Sequence, residues 1–204
     1  MQIDILVEEP SAETALRHLL PKMSPGQVKI NIINMHSKDN LLKKLPARLQ
    51  AYQDRIDKGE RLRIVVLVDR DNEDCIRLKA KLETMAHAAK LSTKTSPDAE
   101  GGFVVLNRIV VEELEAWFLG DPDALRKAFP SLRKLNFNAK PFQNPDNGGT
   151  WETLHRILRK NGIYRSCYPK IDAARRISQH MEISANRSKS FQAFVSGIKT
   201  VLDS

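Results

Sequence analysis

Residues Val65 to Cys75 read VVLVDRDNEDC. An aliphatic run stops at Asp69, and three aspartates and one glutamate fall within the six residues 69–74. A short β-branched run bounded by polar residues reads as a buried strand, and the Asp/Asn cluster after it starts a helix. Carboxylates this close repel one another, at a cost that rises as water is excluded. They therefore either face open solvent or surround something positive.

Working outward, the pattern repeats. Gln2 to Val7 reads as a first strand, followed by a helix capped by Ser11 that ends at Pro21. Val28 to Met35 is a second strand, and residues 40–56 are helical with a joint at Pro46. The third strand is Arg61 to Val68, and its helix runs from Asn72 to Ala89. Gly101 and Gly102 open a fourth strand around Phe103 to Leu106, and Val111 to Leu119 reads as a helix that stops at Gly120. Strands alternating with helices predict an α/β fold with a mostly parallel, four-stranded, Rossmann-like sheet flanked by helices. Past Gly120 only helices follow, at 121–129, 151–160, 170–181 and 188–202, with Thr150 capping the second. The expected organisation is an α/β domain over 1–120 and a helical extension over 121–204 packed on it.

The 204 residues are 41% hydrophobic and 28% charged, ordinary for a globular chain. The start, MQIDILVEEP, lacks a signal-peptide pattern, and the longest apolar run, Ile64 to Val68, is too short to span a bilayer. Two cysteines with no metal spacing fit a reducing, cytoplasmic setting. Residues 1–120 carry 18 basic and 18 acidic side chains, whereas 121–204 carry 15 and 7, so the net +8 lies entirely in the last third. Such a surface serves solubility or holds a polyanion, nucleic acid being the obvious one.

Ligands of open parallel sheets bind beyond the carboxyl ends of the strands. The first strand ends in Glu8 and Glu9, the third in Asp69 and Asp71. If these strands are neighbours, Glu8 and the D-x-D pair meet at one edge and can hold Mg²⁺ (or Mn²⁺), which takes oxygen ligands and leaves positions for phosphate. The competing reading is that Asp71 and Asp74 simply cap the next helix. Of the acids in NRIVVEELEAWFLGD (107–121), Glu113 is the candidate to face that edge, against a solvated helix face in which Arg108 pairs with Glu112. Lys38, Arg108, Lys170 and Arg187 are candidates for holding substrate phosphate. The histidines, His36 included, read as surface residues, and Trp117 and Trp151 as core.

LVEEPSAE (6–13) resembles the L-V-E-G-x-S/T-E opening of Toprim domains, the catalytic fold of topoisomerases, bacterial primases and overcoming-lysogenization-defect nucleases, and VLVDRD (66–71) resembles their later D-x-D strand. The resemblance implies a Toprim-like fold, with Glu8 as acid/base or metal ligand and Asp69 and Asp71 holding Mg²⁺. Glu9 and Pro10 depart from the usual Gly, and Ala12 replaces an acid of the nuclease branch that Glu13 would have to supply. Over nearly its whole length the chain also resembles the bacterial, Toprim-like family known as domain of unknown function 4276, in VEEPSAE, LVDRDNEDCIRLK, NRIVVEELEAWFLGD and NRSKSFQAF. That resemblance is compatible with an operon-encoded protein partner, as in bacterial defence systems.

The leading expectation is a Mg²⁺-dependent phosphoryl-transfer enzyme, a nuclease acting on DNA or RNA. The alternative is a non-catalytic, Toprim-like nucleic-acid-binding or regulatory module. A phosphatase of the haloacid dehalogenase kind ranks lower, because Glu73 stands where Thr or Val follows the second Asp and the motif comes third in strand order.

Overall fold

The computed structural model describes every residue except Pro25, Gln27 and Ser204. Strands β1 (Gln2–Val7), β2 (Lys29–Asn34), β3 (Leu62–Asp69) and β4 (Val105–Val110) form one sheet in the order β2-β1-β3-β4. Every neighbouring pair is parallel, with Val7 opposite Leu67 and Asp69 opposite Val110. Parallel strands need crossover connections, and helices supply them: α1 (Pro10–Met23), α2 (Lys38–Asp57) and α3 (Cys75–Ala88).

β3 reads as continuously hydrophobic because it is buried on both faces. Val65 and Leu67 join a core with Leu16 and Leu19 of α1, while Ile64, Val66 and Val68 join the opposite core with Leu41, Leu45 and Leu49 of α2 and Leu78 and Leu82 of α3. The later elements are α4 (Glu115–Leu119), α5 (Pro122–Ala128), a 3₁₀ turn (Pro130–Lys134), α6 (Lys140–Gln143), α7 (Thr150–Lys160), α8 (Lys170–Ser178) and α9 (Lys189–Leu202). Trp117, Leu154, Ile177, Phe191 and Phe194 from these helices lie in the same core as Ile3, Ile5 and Val7. The change of pattern at Gly120 therefore marks a change of secondary structure, while the core runs on. Lys22 of α1 ties the faces further, donating to the carbonyls of Ser178, Gln179 and Met181 where α8 ends.

Several boundaries differ from the sequence reading. Helix α1 begins at Pro10 with Glu9 at the cap position, Ser11 donating to Glu9 at 3.1 Å, and it runs through Pro21 to Met23. A proline in the last turn removes one helical hydrogen bond, and burial of Leu20 and Met23 on either side offsets that. Helix α2 is unbroken at Pro46, held by the buried stripe Leu41, Leu45, Leu49 and Tyr52. The larger difference is β4, which extends to Val110 instead of ending at Leu106, so the helix expected over 111–119 shrinks to Glu115–Leu119. Asn107 interrupts the apolar pattern, but its side-chain nitrogen donates to Glu83 and its backbone carbonyl accepts from Lys79, which anchors the polar residue inside the strand and leaves its Oδ1 without a partner among the described residues. The extension delivers residues 111–115 to the carboxyl edge of the sheet.

Candidate active site

Glu8 lies at the end of β1 beside the end of β3. Its Oε1 accepts the backbone N–H of Asp69 at 3.0 Å, while Oε2 is buried with no hydrogen-bond partner among the described residues. The side chain is 5% exposed. Burial, and secondarily the charge of Asp71, push its pKa to about 7 despite the Asp69 N–H. Asp69 is raised well above the usual carboxylate range by burial, then by the charges of Glu8 and Glu115. Burial thus holds the two acids side by side at the sheet edge, and the Lys38 charge only partly offsets the shift on Glu8.

The other acids of the turn have partners. The Lys38 ammonium, in the first turn of α2, shares its donors among the carbonyls of Asp69 (2.7 Å) and Arg70 (3.1 Å) and the carboxylates of Asp71 (3.0 Å) and Glu73 (2.7 Å). Burial alone would lower its pKa, but the two carboxylates outweigh that and raise it. Asp74 caps α3, accepting the Arg77 N–H at 2.8 Å. Asp71 sits at φ +50°, a left-handed conformation, so the rule that residues two apart in an extended chain share a direction ends at Asp69. Its N–H bonds to the Glu112 carbonyl at 3.0 Å, and Arg70 pairs with the Glu112 carboxylate, which corrects the expected Arg108–Glu112 pair.

Glu113 and Glu115 divide the work differently from the sequence reading. The Glu113 carboxylate accepts from the Thr150 hydroxyl (3.0 Å) and the Trp151 N–H (3.2 Å), satisfying the first turn of α7 from a distant segment. Gly149, at φ +58°, holds the cap position expected for Thr150. Burial raises the pKa of Glu113 in spite of these bonds. Glu115, not singled out in the sequence, is 1% exposed, its Oε1 without a partner among the described residues, and burial pushes it to about 7 against the opposing charge of Lys170. The Tyr168 phenol lies beside it, outside good hydrogen-bond geometry. The signal for Glu115 was present in the sequence: it is one acid inside the apolar run LEAWFL (114–119).

Lys170, the first residue of α8, pairs with Glu9 at 3.2 Å and faces Glu115 and Glu113. These acids hold its ammonium above its ordinary pKa even though burial works the other way. Glu8, Asp69, Asp71, Lys38, Glu113 and Lys170 are thus gathered at one sheet edge. Two candidates lie elsewhere. Arg108 is half-buried under α9, close enough to Gly197 that a Cβ there would meet its Nε at 2.8 Å. Arg187 donates to the carbonyls of Phe137 and Phe142 and its own N–H bonds to the Gly120 carbonyl, fixing the loop before α7. Glu13 pairs with Arg17 and accepts from Asn34. His36 is exposed.

Among the described residues no three His, Cys, Asp or Glu side chains are placed to hold one metal ion together. Glu8 and Asp69 nevertheless supply an oxygen-only donor pair with one buried, unpartnered carboxylate oxygen. Mg²⁺ is commonly held by one or two carboxylates plus water and phosphate, so this pair fits it. No helix among the described residues is long and apolar enough to cross a membrane.

The profile of a family described as Domain of unknown function (DUF4276) matches residues 7–199. The chain belongs to the DUF4276 family. No curated protein and no solved structure matches it. The DUF4276 match opens at Val7, one residue before Glu8, and encloses every acid and lysine of the sheet edge. It also covers the helices past Gly120 up to residue 199 in α9, consistent with the shared core.

Proposed function

We propose that the chain is a divalent-cation-dependent phosphoryl-transfer enzyme with a Toprim-like site, a nuclease acting on DNA or RNA. The observation that carries this is the Glu8–Asp69 pair: two adjacent carboxylates at the carboxyl edge of a parallel sheet, one oxygen buried and without a partner among the described residues. Such an arrangement is costly in the absence of positive charge. Glu8 and Asp69 would hold Mg²⁺, which supplies Lewis acidity toward a phosphate oxygen. Glu8 is fixed by the Asp69 N–H and sits where it can exchange a proton with a hydroxyl or water. Lys38 keeps the β3–α3 turn in shape, and Lys170 supplies a cation on the side of Glu9 and Glu115. The excess positive charge of residues 121–204 favours a polyanionic substrate.

The test is cleavage of single- and double-stranded DNA and RNA with Mg²⁺ or Mn²⁺. Asp69→Ala and Glu8→Gln should abolish cation-dependent cleavage while leaving the circular dichroism spectrum unchanged. Equal cleavage by wild type and both variants would remove the reading.

A second reading is a non-catalytic, Toprim-like module that binds nucleic acid or regulates a partner protein, such as one encoded in the same operon. It is favoured by the occupation of Asp71 by Lys38, which leaves fewer acids free for a cation. Nucleic-acid binding without cleavage under any divalent cation would select it.

A further inference from the structure

A cavity of about 500 Å³ opens beside the acids, lined by Trp151, His155, Cys167, Tyr168 and Lys170. This lies within the size of small-molecule sites, roughly 300–1,000 Å³. The Trp151 and Tyr168 rings are near-parallel at 28° with centroids 6.4 Å apart, and His155 lies 5.7 Å from Tyr168, so the wall is a continuous aromatic surface. Trp151 is half-buried, in contrast to Trp117, which is sealed in the core with its indole N–H on Ser190, so the expectation that both are core residues holds for Trp117 alone.

Two connections join this cavity to the carboxylate edge. The Trp151 N–H bonds to Glu113, and Lys170 both lines the cavity and pairs with Glu9, the neighbour of Glu8. Tyr168, which lines the cavity, neighbours Glu115, and the Tyr168 phenol and Glu115 Oε1 are both buried without a partner among the described residues. The surrounding segment is cationic: residues 151–170 carry Arg156, Arg159, Lys160, Arg165 and Lys170 against the single acid Glu152. Arg159 stands one turn beyond His155 on the same stripe of α7.

We propose that this cavity is a nucleobase subsite, in which an unpaired base of a single strand stacks on Trp151 and Tyr168 while its phosphate lies toward Lys170. The inference rests on the nucleic-acid reading above and narrows it to single-stranded or locally unpaired substrate. An aromatic face with cations along one side binds bases by stacking and backbone phosphates by charge, with little dependence on sequence. A duplex presents no free base face, and a bare anion gains nothing from the aromatic wall.

The experiment is a binding titration in EDTA, read by indole fluorescence and by polarisation of a labelled strand. The probes are a short oligothymidylate, an abasic strand of equal length and a duplex. Wild type should prefer oligothymidylate over the abasic strand, with quenching from Trp151. Trp151→Ala should bind oligothymidylate about tenfold more weakly and lose the preference, and Trp151→Phe, which keeps a stacking face, should retain most of both. Equal affinity of wild type for the abasic strand and oligothymidylate overturns the subsite, as does unchanged affinity in Trp151→Ala. Base-dependent binding without any cation-dependent cleavage would keep the subsite and remove the nuclease reading. Cleavage with no base dependence would do the reverse.

Discussion

The Glu8 carboxylate accepts the backbone N–H of Asp69 at 3.0 Å, so the acid that ends one strand is held by the peptide that ends its neighbour. The bond fixes one oxygen and leaves the other buried without a partner among the described residues. Like charge from Asp69 and Asp71 then acts on a group that cannot turn away into water.

This arrangement makes stability depend on pH in a definite direction. Glu8 and Glu115 are raised from an ordinary 4.5 to about 7 when folded. Stability from such groups is fully present below the unfolded pKa and is lost as pH rises through the folded one. The melting temperature should therefore fall between about pH 5 and about pH 8, with Glu8 alone contributing at most about 3 kcal/mol. His18, lowered by burial, opposes this trend, so the decisive comparison is with Glu8→Gln, whose profile should be flatter than wild type. Identical slopes in thermal melts would contradict the burial of an ionisable Glu8.

A cation bound between Glu8 and Asp69 would relieve the same repulsion. Mn²⁺ or Mg²⁺ should raise the melting temperature more at about pH 8 than at about pH 5.5, because protons compete for the ligands. At a hundredfold excess over its dissociation constant the ion adds about 2.7 kcal/mol. Asp69→Asn should lose most of that shift. Differential scanning fluorimetry with EDTA controls decides it, and no shift at either pH counts against a cation site.

Lys38 is assigned to the architecture of the β3–α3 turn. Lys38→Ala leaves Asp71 at φ +50° without its ion pair and removes the donor to the carbonyls of residues 69 and 70. The expected loss is about 2 kcal/mol in urea unfolding, from leaving a partly buried network half-satisfied. A variant as stable as wild type would free Lys38 for a role on substrate.

Two of the family-like stretches, NRIVVEELEAWFLGD and NRSKSFQAF, meet at Gly120. A Cβ there would stand 2.3 Å from Asn186 Oδ1 and 2.9 Å from the Ser188 backbone nitrogen. Asn186 donates to the Trp117 carbonyl and cannot retreat without breaking that bond. Gly120→Ala should therefore destabilise by about 2 kcal/mol through overpacking, measurable by urea unfolding. Full stability would show that the junction adjusts.

Arg108 offers a parallel check. Burial lowers its pKa, and its Nε has no partner among the described residues. Arg108→Ala should shift the melting temperature while leaving affinity for an oligonucleotide unchanged, as polarisation titrations would show.

The local part of this molecule was legible in the sequence. The run ending at Asp69 is apolar on both faces because β3 is covered from both sides, and the acids at 8 and 69 stand at strand ends because hydrophobic periodicity stops there. Periods of two and of about 3.6 residues are properties of neighbouring positions, so they assign elements and their ends. Tertiary contact alone decided what each charge does. Lys38 lies on the expected edge but is consumed by the turn, Glu113 serves the start of α7, Glu115 is buried beside Tyr168, and Arg108 lies under α9. A charged side chain takes the nearest partner that desolvation leaves it, and those partners come from segments tens of residues away, beyond the reach of any local pattern.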